Sequence, residues 1–280
     1  MTDRRGFSLA ELMVALVIAG IIGAALTRLM INQSRFVATQ DGLMRARSGA
    51  RAGFNVIVQE LRMVTPGGLL AAARDSVTAR VPFAFGVACS QPSGGQQAIL
   101  LLPFDSANFA SASLTGFAWR DSTGTYQFVE PATLTNNSGP SSACTSDVTP
   151  SPIAVPAGWQ VVYVSPNNLA TLPGAALYLY QNVRYEIAPS SELPGRRALW
   201  RTVVGTGTRE ELVTPFDTTS RFSFLVGNRL TVQAGVPAVL DSVRGLRLRL
   251  VGQSETTPSG HSVPMNFDLT TDIVFVNRAR

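Results

Sequence analysis

Apolar positions along the chain fall into three successive patterns. A polar opening, residues 1–6, gives way to a stretch from Phe7 to Thr27 that carries a single charge, Glu11. As a helix this stretch is about 31 Å long at 1.5 Å per residue, which matches the roughly 30 Å of hydrocarbon in a bilayer. From Thr27 to Val64 the helical signal continues in another form. Leu29, Met30, Phe36, Val37, Leu43, Met44, Phe54, Ile57, Val58 and Leu61 recur at spacings that fit a helical face, with Arg45, Arg47 and Arg51 between them. No proline interrupts Phe7 to Val64, so a helix of about 87 Å is expected. Thr65-Pro66-Gly67-Gly68 stops it, because Pro and Gly cannot continue a regular helix. Gly20, Gly23, Gly42, Gly49 and Gly53 read equally as sites of close packing and as weak points in an exposed helix.

Past Pro66 the pattern shortens to apolar runs separated by Ser, Pro, Gly and Asn. Strands are expected at residues 98–102, 117–119, 126–129, 159–164, 176–187, 198–204, 222–226, 243–251 and 267–276. Thr133 to Ala157, with Asn136-Asn137-Ser138-Gly139-Pro140 and Pro150-Ser151-Pro152, reads as an exposed insertion. The fold class is therefore α+β: a long N-terminal helix over 7–65, its first half membrane-spanning, and a mostly antiparallel β head over 66–280. Composition supports a loop-rich head. Charged residues are 15% of the chain, below the globular norm of about 25%, and there are 24 Gly and 17 Pro.

Charge invites a nucleic-acid reading, with a net +5 and every cation an arginine. Divided by region, residues 7–65 carry +3 and residues 66–280 only +1, so the excess lies on the helix. Arg244, Arg247 and Arg249 share one expected strand, and Arg247 and Arg249 share a face of it. They could form a basic stripe for DNA, although a solvated strand explains them more simply. Cys89 and Cys144 both follow the apolar segment. Outside the cytoplasm they could form one disulfide; otherwise they are two unrelated buried thiols.

The N-terminal order differs from that of a secretory signal peptide, since no small-residue cleavage site follows the apolar core. Arg4 and Arg5 precede the span, which keeps the N-terminus cytoplasmic and sends the head outward. Glu11 is the anomaly. A carboxylate inside a spanning helix costs a few kcal/mol on insertion scales and marks a function or a partner, unless it lies near enough to the interface to stay wet.

Gly6-Phe7-Ser8-Leu9-Ala10-Glu11 closely resembles the class III signal of type IV prepilins and type II secretion pseudopilins. The resemblance implies cleavage by prepilin peptidase between Gly6 and Phe7, methylation of the new Phe7 amine, and an assembly ion pair between Glu11 and a neighbouring subunit's amine. Such a pair suits a low-dielectric setting, where neither charge is comfortable alone. The C-terminal half, from Leu177-Tyr178-Leu179-Tyr180 through Val183-Arg184-Tyr185-Glu186-Ile187 to Thr271-Asp272-Ile273-Val274, is similar to W-type minor pilins and J-type pseudopilins, whose heads carry two β-sheets. That likeness implies a pilin-like lollipop at or near a filament tip, in a complex that primes assembly. Its partners would be prepilin peptidase, other major and minor pilins or pseudopilins, and the inner-membrane assembly platform. It would sit in the inner membrane as a single-pass protein with a periplasmic head before joining a filament.

Other chemistries find little support. The sole histidine, His261, lies in an expected loop, and no nucleophile elbow, HExxH, Walker loop or dinucleotide fingerprint occurs. Gly205-Thr206-Gly207-Thr208 reads as a hairpin turn. No enzyme, metal or cofactor is expected. A competence subunit that binds DNA is the rival reading.

Overall fold

The structure is a computed structural model that describes residues 8–89, 95–136, 144, 159–166 and 174–275. The leader residues and Phe7 lie outside that set. Helix α1 runs unbroken over Leu9–Leu61, 53 residues. Every residue from Ser8 to Val37 is exposed, whereas Gly42, Ala46, Ala50, Gly53, Ile57 and Leu61 are buried. Their spacing of three and four residues marks one stripe, and the head packs on it. The helix ends at Leu61, and the chain turns through Gly67, which adopts a positive φ of 78°.

Every strand pairing among the described residues is antiparallel. The head is organised on two long strands, β2 (Ser76–Ala88) and β8 (Ala176–Pro189), which pair over eleven positions from Ser76↔Glu186 to Val87↔Ala176. β1 (Leu69–Ala72) pairs the other edge of β2 at Val77 to Ala79. One end carries β3 (Gln97–Leu101), α2 (Pro103–Ser111), β4 (Gly116–Arg120), β5 (Tyr126–Val129), β6 (Thr133–Asn136) and β7 (Gln160–Ser165). The other carries β9 (Arg197–Val203), β10 (Arg209–Phe216), β11 (Arg221–Val226), β12 (Thr231–Gln233), β13 (Val243–Gln253) and β14 (Asn266–Val274).

Two cores share the ribbon. Val77, Ala79 and Val81 of β2 and Val183, Tyr185 and Ile187 of β8 pack with Ile57 and Leu61 of α1 and with Leu246, Leu248 and Leu250 of β13. Farther along, Ala84 and Ala88 of β2 and Leu177 and Leu179 of β8 pack with Ile99, Phe117, Trp119 and Val162. The changeover lies at Pro82, where the β2–β8 register shifts before Ala84. A proline in a central strand normally costs a ladder bond, and a bulge is where that loss is tolerated.

All nine expected strands are present within a few residues, although Val276 lies outside the described residues. β2 was not among them, because Pro82 and Gly86 break its apolar run. Within the expected insertion, Thr133–Asn136 is strand β6 and pairs with β7, and Cys144 is buried. The rest, 137–143 and 145–157, lies outside the described residues.

Candidate functional site

The chain's first described turn is held by a reciprocal cap. Ser8 is the N-cap of α1: its Oγ accepts from the Glu11 amide at 3.4 Å, and the Glu11 carboxylate accepts from the Ser8 amide at 3.1 Å. These contacts satisfy two of the donors that a helix start leaves without partners, and the helix dipole favours an anion there. Glu11 thus has a local role that reading it only as an assembly residue overlooks. The signal was present, since Ser8-Leu9-Ala10-Glu11 has capping-box spacing ahead of an apolar run. Gly6, Phe7, Arg4 and Arg5 lie outside the described residues.

Downstream, small side chains bring α1 almost into backbone contact with the head. A Cβ on Gly252 of β13 would run into the Ala46 carbonyl, and one on Gly53 would stand 2.9 Å from the Phe216 ring. Gly42 faces Met265 and Pro258, each 3.2 Å from such a Cβ. Gly42 and Gly53 are therefore close-packing sites within the chain. Gly20, Gly23 and Gly49 have nothing within 4 Å. Larger apolar residues of the expected face look the other way: Met30, Phe36, Val37 and Met44 are exposed.

A polar latch closes the seam. Glu60, near the end of α1, accepts from the Tyr185 hydroxyl of β8 and from Arg201 Nε of β9 at 3.2 Å. Burial, followed by the Glu60 charge, pushes the Tyr185 phenol well above its ordinary range. Burial does the same to Tyr178, whose hydroxyl meets Thr65 just past the helix. Sequence reading missed this latch, because Glu60 lies more than a hundred residues from both of its partners.

Cys89 and Cys144 are disulfide-bonded across a separation of 55 residues. In the chain-entropy account such a loop closure stabilises by about 4 kcal/mol. The arginines of β13 do not form a free row of cations. Arg247 binds Asp272 through two nitrogens at 2.6 and 2.8 Å, and Arg249 binds Asp268. Both aspartates stand on β14, and hydrogen bonds from these arginines hold their carboxyls below the usual range. Arg244 instead turns to the carbonyls of Asp241 and Val243. His261 lies in the β13–β14 connection and meets Thr39 of α1 at 3.1 Å. Gly205 to Thr208 turns β9 into β10, with Gly207 at φ 70°. Among the described residues no three His, Cys, Asp or Glu side chains gather in the manner of a metal site.

One helix among the described residues, α1, is long and apolar enough to cross a membrane. Residues 1–27 match the family model described as the prokaryotic N-terminal methylation motif. No curated protein and no solved structure shows significant similarity to the chain. The motif and the apolar helix that follows it support a type IV pilin or pseudopilin precursor that is anchored in a membrane before assembly.

Proposed function

We propose that this chain is a minor subunit of a type IV filament, of the W-type or J-type kind, that acts in the complex priming assembly and catalyses nothing itself. Prepilin peptidase removes residues 1–6 and methylates Phe7. Before assembly the N-terminus faces the cytoplasm and the head is periplasmic. The observation that carries the reading is the methylation motif at residues 1–27 joined to a helix left bare from Ser8 to Val37. A helix so apolar and so uncovered needs lipid first and other helices afterwards. In the filament, Glu11 leaves the Ser8 amide for the methylated amine of a neighbour. The exchange replaces a neutral donor with a cation, and a charge-assisted bond is the stronger of the two.

Two variants separate the cap from the charge. Glu11→Gln preserves capping-box chemistry and removes the charge, whereas Glu11→Val removes both. Each variant is expected to remain membrane-bound and to yield an N-methyl-Phe7 terminus by intact mass. Each should fall at least about tenfold in the sheared-filament fraction, the effect of losing 1.4 kcal/mol of pairing. Full filament levels for Glu11→Gln, with loss only for Glu11→Val, would assign Glu11 to the cap and remove the ion pair. A mature protein that retains Arg4 and Arg5 would sink the processing step.

A further inference from the structure

A cleft of about 850 Å³ opens where the stalk ends, between Met63 just past α1, Phe83 and Phe85 of β2, Phe104 and Asp105 of α2, and Glu210 of β10. Its rim is apolar and bare: Phe104 is 77% exposed and Phe85 is 40% exposed. Its charge is unbalanced. The arginine that lines it, Arg201, is engaged by Glu60, while neither Asp105 nor Glu210 makes an ion pair among the described residues. Burial raises the Asp105 carboxyl above its ordinary value, against a backbone hydrogen bond from Phe85 that lowers it, so this half-exposed group has a hydrogen bond but no cation. Exposed aromatic rings beside carboxylates without an ion-pair partner fit a partner that brings apolar side chains and a cation together.

Such a surface is present on the stalk itself. On the side of α1 turned away from the head, Val37, Met44 and Arg51 recur every seven residues and all are exposed. Of the six arginines between residues 28 and 62, Arg45 and Arg47 turn to Glu255 and Phe267 of the head, while Arg51 stands exposed on this outer face. Charge and apolar character are thus complementary between the bare stalk face and the cleft. We propose that the cleft seats the stalk helix of a neighbouring filament subunit, with an arginine held by Asp105 and Glu210 and apolar side chains against Phe85 and Phe104. The inference rests on the filament reading and adds to it a head-to-stalk contact of defined chemistry.

The test places a benzophenone amino acid at Phe104 in the full-length chain, in cells assembling filaments, and maps the photoproduct by peptide sequencing. The expected adduct lies on a stalk segment, within about 65 residues of an N-methylated phenylalanine. That is roughly the reach of a helix of about 87 Å plus its turn. Asp105→Asn combined with Glu210→Gln should reduce the adduct about fivefold, as expected for two exposed charge contacts. Phe7 methylation, the Cys89–Cys144 bond and protease resistance of the head should not change. Adducts on heads, on lipid or on proteins outside the filament overturn the inference. So does a chain found in filaments that gives no adduct. A chain absent from the filament fraction overturns the filament reading as well, so the two failures are told apart in one sample.

Discussion

The two halves of α1 invert the usual relation between apolar character and burial. From Leu9 to Val37 the helix is bare and most of its large side chains are apolar, whereas from Gly42 to Gly53 the buried residues are glycine and alanine. The first half has greasy bulk and no partner within the chain. The second half has little bulk and sits against β13 so closely that Gly252 has no room for a side chain beside the Ala46 carbonyl. Apolar bulk therefore marks where the helix meets something outside its own subunit. Small size marks where it meets its own head. Only at Ile57 and Leu61 do large side chains and burial coincide, because there the helix plugs the end of a core instead of lying along a sheet.

The largest expected break in this comparison is Gly252→Val. Its added atoms meet a backbone carbonyl, which cannot move aside like a side chain, so the docked half should lose about 3 kcal/mol or more. The detergent-solubilised chain should melt several degrees lower, while membrane insertion and Phe7 processing stay normal. An unchanged melting temperature would mean that the close approach is not required.

Glu60→Gln comes next. It leaves Arg201 without its countercharge in a half-buried seam, at an expected cost of about 1–3 kcal/mol. The same seam sets a pH dependence. Tyr185 has a folded pKa raised above its ordinary value of 10.0. The folded state then holds a proton that the unfolded state releases, so this stabilisation is complete below about pH 10 and is lost as pH rises further. Chemical-denaturation midpoints of the wild type should hold steady to that point and decline beyond it.

The smallest effect sharpens the contrast through its sign. Gly53→Ala gains helix propensity but presses on the Phe216 ring, for a net loss of about 1 kcal/mol in head stability. Gly20→Ala meets open space and should leave head melting within about 0.5 kcal/mol of wild type. Equal shifts at both positions would erase the distinction between the halves.

Much of this division was legible in the sequence, and the gaps have physical causes. The uninterrupted apolar run, the absence of proline and the stop at Pro66 located the helix to within a few residues. The bare half followed from bulk alone. The docked stripe was harder, since glycine at 42 and 53 reads equally as close packing and as weakness until the opposing surface is known. β2 was missed because a central strand containing Pro82 violates ladder chemistry, and only a register shift against β8 repairs it. The Glu60 latch and the neutralised arginines of β13 depend on cross-strand and cross-element neighbours, which periodicity does not encode. At the N-terminus the opposite happened. Ser8 and Glu11 formed a recognisable local pattern, but the more specific resemblance drew attention past it.

The β2–β8 ribbon has a mechanical consequence. Both cores are strung on the same two strands, so β2 and β8 couple one half of the head to the other. A pull on the stalk enters through the α1 stripe and the Glu60 latch and reaches β8 at Tyr185. Beyond Pro82 it runs along the strands as shear, where the cross-strand bonds of the ribbon share the load side by side instead of opening one after another. The bulge at Pro82 is the point of least redundancy along that path, and on either side of it the ribbon is anchored in a core of its own.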